Sequence, residues 1–184
     1  MSPDSCSVTT NVSLPFAPLA VRYSRGLDRF VAVATNPNAV HIVDPFTGAL
    51  RQVPLPLPVK SFNLGADGTL AAVLHEGIVS LIDIDSATLV RSSSTGGSQT
   101  DAFVTNAGMI YIIGQTGGQW VDHVVYILNG YTSADLPPGG YWGGQFYGTM
   151  RGIYAASKNK GFAMASSLSP ADINYFTIDP PRVP

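Results

Sequence analysis

Three histidines, His41, His75 and His123, each stand within three residues of an acid, Asp44, Glu76 and Asp122. Imidazoles beside carboxylates are the material of zinc centres and of general bases. Their spacing matches no HExxH or paired-histidine pattern, and they occupy different positions of the repeating unit described below. They therefore read as three separate polar residues rather than one metal site. Asp83, Asp85 and Asp101 offer oxygen ligands of the kind calcium takes from loops, but Asp83 falls where a strand ends and a turn begins. A carboxylate there accepts hydrogen bonds from turn amides, a sufficient reason for its presence. The serines of SSSTGGS (92–98) lie in a glycine-rich connector without a G-x-S-x-G elbow or a positioned base. TGGSQTD and QTGGQW lack the Gly-x-x-x-x-Gly-Lys-Ser/Thr pattern and the strand-to-helix setting of a phosphate loop.

The remaining chemistry is aromatic. Between 120 and 147 the chain carries Trp120, Tyr126, Tyr131, Tyr141, Trp142, Phe146 and Tyr147 among several glycines. Rigid aromatic faces in a glycine-rich loop suit a sugar, an aromatic ligand or a partner protein, and they equally suit gap-filling between packed sheets. If the chain holds a ligand through this stretch, Trp120, Tyr141, Trp142 and Tyr147 are the candidate contacts. No catalytic residue, metal ligand or cofactor is assigned.

The elements that would position these residues recur along the chain. RYSRGLDRFVAVA (22–34), FNLGADGTLAAVL (62–74), FVTNAGMIYIIG (103–114) and FYGTMRGIYAAS (146–157) each read as strand, tight turn, strand. Each is followed by an apolar run ending in Asp44, Asp83, Asn129 or Asp179. VHIVDPFTGALRQV aligns with VSLIDIDSATLVRS at a uniform shift of 39 residues, placing Val40 on Val79, Asp44 on Asp83 and Leu50 on Leu89. A unit of this length is one small sheet that must bury its faces on neighbouring copies. The runs FVAVA, LAAVL and MIYIIG are nearly continuous apolar strands, as expected for sheets covered on both sides.

These patterns predict an all-β chain, a β-propeller-type repeat of four-stranded antiparallel blades. About four blades are expected, at roughly 19–59, 60–98, 99–142 and 143–184. Residues 1–18 would form a tail or a ring-closing strand, VTTNVSL. One helical turn is expected at SLSPADI (167–173), where Ser169 can cap and Pro170 suits the first helical position. Charged residues make up 12% of the 184, about half the usual share of ~25%, which favours strands and turns over solvated helices. A net charge of −2 with scattered cations lacks the basic stripe of a nucleic-acid binder. Cys6 is the single cysteine, so neither an intrachain disulfide nor a cysteine-based zinc site can form. No apolar run approaches the roughly 20 residues of a membrane span.

The turns SRGLDRF, GADGTL and NAGMIY, followed by a strand closing on Asp and a TG or SAT turn, resemble the YVTN and WD40-like bacterial propeller repeats. The family's Asp-Gly survives here as Asp67-Gly68 and its Thr-Gly as Thr47-Gly48; the WD40 Trp-Asp signature is absent. The resemblance covers about 19–184. It implies a propeller, and a function among lactonase-like enzymes, periplasmic binding modules and surface-protein domains. The leading expectation is a non-catalytic binding or interaction module of a bacterial extracytoplasmic or cell-surface protein, with a protein or carbohydrate partner. One rival is part of a lactonase-like or lyase-like propeller enzyme, which requires a polar axial pocket joining His41, His75 or Arg22 to carboxylates. The other is a structural domain that self-associates through open blade faces.

Overall fold

The computed structural model describes residues 11–96, 99–115, 121–136, 146–147, 150–155, 160–165 and 173–177; for 115, 121–126 and everything after 134 it describes backbone only. All regular elements among them are strands. The first sheet comprises β1 (Ala20–Ser24), β2 (Arg29–Thr35), β3 (Asn38–Val43) and β4 (Leu50–Pro54) in chain order. The second repeats it with β5 (Ser61–Leu64), β6 (Leu70–Leu74), β7 (Ile78–Asp83) and β8 (Thr88–Ser94). β9 (Gln99–Val104), β10 (Met109–Gln115), β11 (Val121–Asn129) and β12 (Asp135–Leu136) form the third, which β13 (Phe146–Tyr147) joins. A fourth holds β14 (Met150–Ala155), β15 (Lys160–Ala165) and β16 (Ile173–Thr177). Every pairing is antiparallel.

The middle strands β2, β6 and β10 carry the continuous apolar runs, and side chains on both of their faces are buried. Alternation then sends odd and even residues to different neighbours. Val31, Val33, Val40, Ile42 and Val53 of the first sheet pack on Ala71, Val73, Ile82 and Ile84 of the second. Leu70, Ala72, Leu74, Val79 and Leu81 leave the other side of that second sheet to meet Ala102, Val104, Ile110, Ile112 and Leu128 of the third. The sheets thus stack face to face, and contacts link their innermost strands in sequence, β1 to β5, β5 to β9 and β9 to β14.

The turns close as their sequences require. The Asp44 carboxylate accepts the amides of Phe46 and Thr47 at 2.8 and 3.0 Å; Asp83 accepts that of Ser86 at 2.9 Å. Asn129 accepts those of Tyr131 and Thr132 at 2.9 and 3.2 Å. Turn capping therefore accounts for these three repeat positions, and the amide bonds from Thr47 and Phe46 hold the Asp44 carboxyl below its usual range. Between sheets, one tie recurs. Arg51 of β4 donates to the carbonyls of Asp85 and Ile84 in the next sheet's turn, and Arg91 of β8 donates to that of Tyr131 one sheet further on.

One part of the sequence reading changes. Phe146–Tyr147, expected to open the fourth hairpin, pairs instead with Val121 and Asp122 of β11. β11 is nine residues long while β12 pairs with only Ile127 and Leu128. The rest of that edge leaves backbone groups to be satisfied, and β13 pairs with part of it. Residues 11–18 contain no strand, as a tail would not, and residues 8–10 of VTTNVSL lie outside the described residues. The helical turn expected at 167–173 lies outside the described residues up to Ile173, which begins β16.

Candidate functional site

The innermost strands of the first three sheets enclose an open cleft of about 470 Å³. Arg22 comes from β1, Lys60, Ser61 and Asn63 from the start of the second sheet, and Asp101 from β9. Leu19, Val33, Val59 and Phe62 supply apolar wall. Asn63 is fixed: its side-chain nitrogen donates to Asp101 Oδ1 at 2.9 Å and to the Ala102 carbonyl at 2.8 Å. The same Asp101 oxygen accepts the Ala102 amide at 3.0 Å. Lys60 pairs with exposed Glu76 at 3.0 Å, a surface contact of small energetic weight. Ser61 Oγ is buried without a hydrogen-bond partner. The cleft thus offers cations, an amide–carboxylate pair and one unused hydroxyl, arranged around apolar wall.

His41 and His75 do not line it. His75 follows β6, with Nδ1 3.0 Å from the Pro58 carbonyl and Nε2 3.0 Å from Ser80 Oγ. His41 lies on β3, buried, with the Phe16 ring stacked on it at 3.6 Å between centroids and 13° between planes. Both of its ring nitrogens lack partners. His123 is on β11 opposite Gly114. Among the described residues, no three His, Cys, Asp or Glu side chains group as metal ligands.

Burial lowers the pKa of both His41 and His75, opposed at His75 by its bonds to the Pro58 and Leu57 carbonyls. In each case the unfolded chain takes up a proton that the folded chain resists. The resulting stability is complete above the unfolded imidazole value of about 6.5 and declines as pH falls below it. Urea midpoints should therefore drop between pH 7.5 and pH 5 with little change in slope, and the drop should shrink in a His41→Gln, His75→Gln double variant. The carboxylate of Asp44 contributes in a separate window, lost below about pH 3.9. A midpoint that is flat from pH 7.5 to 5 would contradict the buried placement of both rings.

Of the aromatic candidates, Tyr147 is in β13, paired with Val121, while Trp120, Tyr141 and Trp142 lie outside the described residues. Lys60, Ser61 and Asn63 were not singled out from sequence. Their one available signal was position, the first strand of a repeat, which faces the axis around which the sheets are arranged.

No protein family matches the chain, and no curated protein sequence does. Solved structures do match it. Kuenenia stuttgartiensis hydrazine synthase superposes on 94% of the chain with a TM-score of 0.59 at 11% identity. U3-55K superposes on 90% with a TM-score of 0.55 at 8% identity. Apo AztD from Citrobacter koseri superposes on 68% with a TM-score of 0.52 at 15% identity. The fold is of the β-propeller type. The chain spans 49%, 53% and 36% of the lengths of these three chains, respectively. Its sheets are blades, and the cleft lies where a propeller has its axis. Identities this low carry the architecture alone. Among the described residues, no helix is long and apolar enough to cross a membrane.

Proposed function

We propose that the chain is a non-catalytic binding module of a bacterial extracytoplasmic or cell-surface propeller protein, and that it takes a segment of a partner protein in the axial cleft. The observation that carries this is the composition of the cleft. Arg22 and Lys60 stand near the Asn63–Asp101 pair, with Leu19, Val59 and Phe62 between them. A peptide segment brings both signs of charge, backbone hydrogen-bonding groups for Ser61, and apolar side chains for the wall. The extracytoplasmic placement rests on the resemblance of the repeats to bacterial YVTN-like propellers.

One observation favours the enzyme reading: Arg22 and a carboxylate, Asp101, share the cleft. Against it, Asp101 is occupied by Asn63 and the Ala102 amide, and both described imidazoles are committed elsewhere. The two readings separate by experiment. Purified chain applied to peptide and glycan arrays should retain peptides of mixed charge, and calorimetry on the best of them should show at least tenfold weaker binding for Arg22→Ala. Hydrolysis of a simple lactone above the buffer rate, abolished by Asp101→Asn, would replace the binding module with the enzyme. Retention of glycans alone would leave the module but change its partner class.

A further inference from the structure

The cleft opens where one interblade tie at the axis is missing. The middle strands align at 39 residues, Val33 on Ala72 and Ala72 on Tyr111, with Leu74 on Ile113. Their partners on the innermost strands are Ala20, Asn63 and Phe103 for the first set, and Ser61 and Asp101 for the second. Ala20 therefore holds in the first blade the position of Asn63 in the second, and Ser61 holds in the second blade that of Asp101 in the third. Between the second and third blades Asn63 spans the gap, its side-chain nitrogen donating to both Asp101 Oδ1 and the Ala102 carbonyl. Between the first and second, an alanine methyl has nothing to donate. Ala20 and Ser61 both line the cleft.

The acceptors for such an amide are nevertheless in place. The Gly65 amide donates to the Leu70 carbonyl at 2.8 Å and that of Thr105 to Met109 at 2.9 Å, which sets the phase of both ladders. Counting back in alternation, Phe62 and Ala102 belong to non-hydrogen-bonded pairs, so the amide and carbonyl of each point away from their own sheet. Ala102 has both satisfied, its amide by Asp101 Oδ1 and its carbonyl by Asn63. Phe62 is buried, and no hydrogen bond from the other described residues reaches its outward amide or carbonyl. Ser61 Oγ beside it is buried and equally without a partner. Polar groups left in this condition cost free energy that an incoming donor recovers.

We infer that the cleft takes a primary carboxamide, the side chain of an asparagine or glutamine in the partner segment, at the place that Asn63 fills one blade later. Its two N–H hydrogens match two acceptors, the Phe62 carbonyl and Ser61 Oγ; rotation about one side-chain bond turns the shielded hydroxyl to meet it. A carboxylate has no hydrogen for the Phe62 carbonyl and sets oxygen against oxygen, and a secondary amide brings one hydrogen where two are wanted. Arg22, whose guanidinium bonds among the described residues only to the neighbouring Val21 carbonyl, is the donor available to the carboxamide oxygen. The source of the amide rests on the peptide reading above; the subsite itself does not.

Ala20→Asn supplies the amide from within the chain. Its urea midpoint should exceed that of Ala20→Asp, although Arg22 and Lys60 favour the aspartate by charge, and adding Ser61→Ala should narrow the difference. Equal midpoints for the two variants overturn the inference. If either variant fails to fold, acetamide titrated into the isotope-labelled wild-type chain decides. The backbone amide resonances of Ser61, Phe62 and Asn63 should shift, with half-saturation about fivefold below that for acetate or N-methylacetamide, the weight of one net hydrogen bond. No shift with acetamide, or shifts that acetate produces as readily, overturn it. The peptide reading fails separately: arrays that retain glycans alone, with the acetamide shifts intact, keep the subsite and change only the molecule that presents the amide.

Discussion

Leu81→Ala is expected to destabilise the chain by about 3–5 kcal/mol, the range for a fully buried leucine whose site cannot collapse. Leu81 is completely buried on β7, where it sits between the second and third blades with Leu70, Ile110, Ile112 and Leu128. A hypothetical Cβ on Gly130 would come within 2.9 Å of one of its methyls. Leucine therefore fills the space up to the backbone of the neighbouring blade. Two hydrogen-bonded sheets form the walls of the resulting void, and neither can close on it without breaking register. In a chain of this size the loss corresponds to a fall of about 6–20 °C in Tm. Leu89→Ala, at a site 39% exposed, is the control and should cost under about 1 kcal/mol. Equal urea midpoints for the two variants would mean that the core is not the stack of interblade layers described above.

Gly68→Ala should cost about 3 kcal/mol, and Gly77→Ala about 1 kcal/mol, although both glycines have a left-handed backbone, with φ of +79° and +74°. The shared part is the conformational cost of a Cβ at positive φ. The difference is the neighbour. A Cβ at Gly68 would lie 2.7 Å from the Cα of Ser24, which is main chain of the first blade; a Cβ at Gly77 would meet nothing within 4 Å. The Ser24 hydroxyl also donates to the Gly68 carbonyl at 3.0 Å, and the Gly26 amide to that of Asp67 at 2.8 Å. The turn of the second blade is thus clamped against β1, and a methyl there must separate the two inner strands. Thermal melts of the two variants give the difference directly. A Gly68→Ala chain no less stable than Gly77→Ala would place the clamp elsewhere.

The architecture was legible because its signals are local. Apolar runs, turn glycines and strand-end acids lie within one repeat, and the 39-residue shift relates one repeat to the next. Asp44, Asp83 and Asn129 cap turns as their positions suggested. What escaped notice joins one repeat to another. Asn63 bonds to Asp101 and Ser24 to Gly68, across 38 and 44 residues, and no periodicity marks such partners. Phe16 gave no sign that it would cover His41, since stacking depends on where a non-repeating segment crosses a sheet. β13 escaped for a different reason: its pairing follows from how much of the β11 edge β12 leaves unpaired, which two strand sequences read separately do not reveal. Of the candidate site, Arg22 and Asp101 were noticed for their chemistry, but their meeting at one cleft needed the arrangement of the blades.

Each of the first two blades is assembled from four strands that follow one another in the chain, and neither borrows a strand from elsewhere. A blade is therefore a transferable cassette. A second copy of the segment from Leu55 to Ser93, inserted directly after the first, would carry an arginine tie on each side, because Arg91 of the original would face the Ile84–Asp85 turn of the copy and the copy's own arginine would face Tyr131. Lengthening by duplication leaves the strand pairing within every blade untouched and creates a single new seam, where the Leu70–Leu81 side of the original meets the Ala71–Ile84 side of its copy.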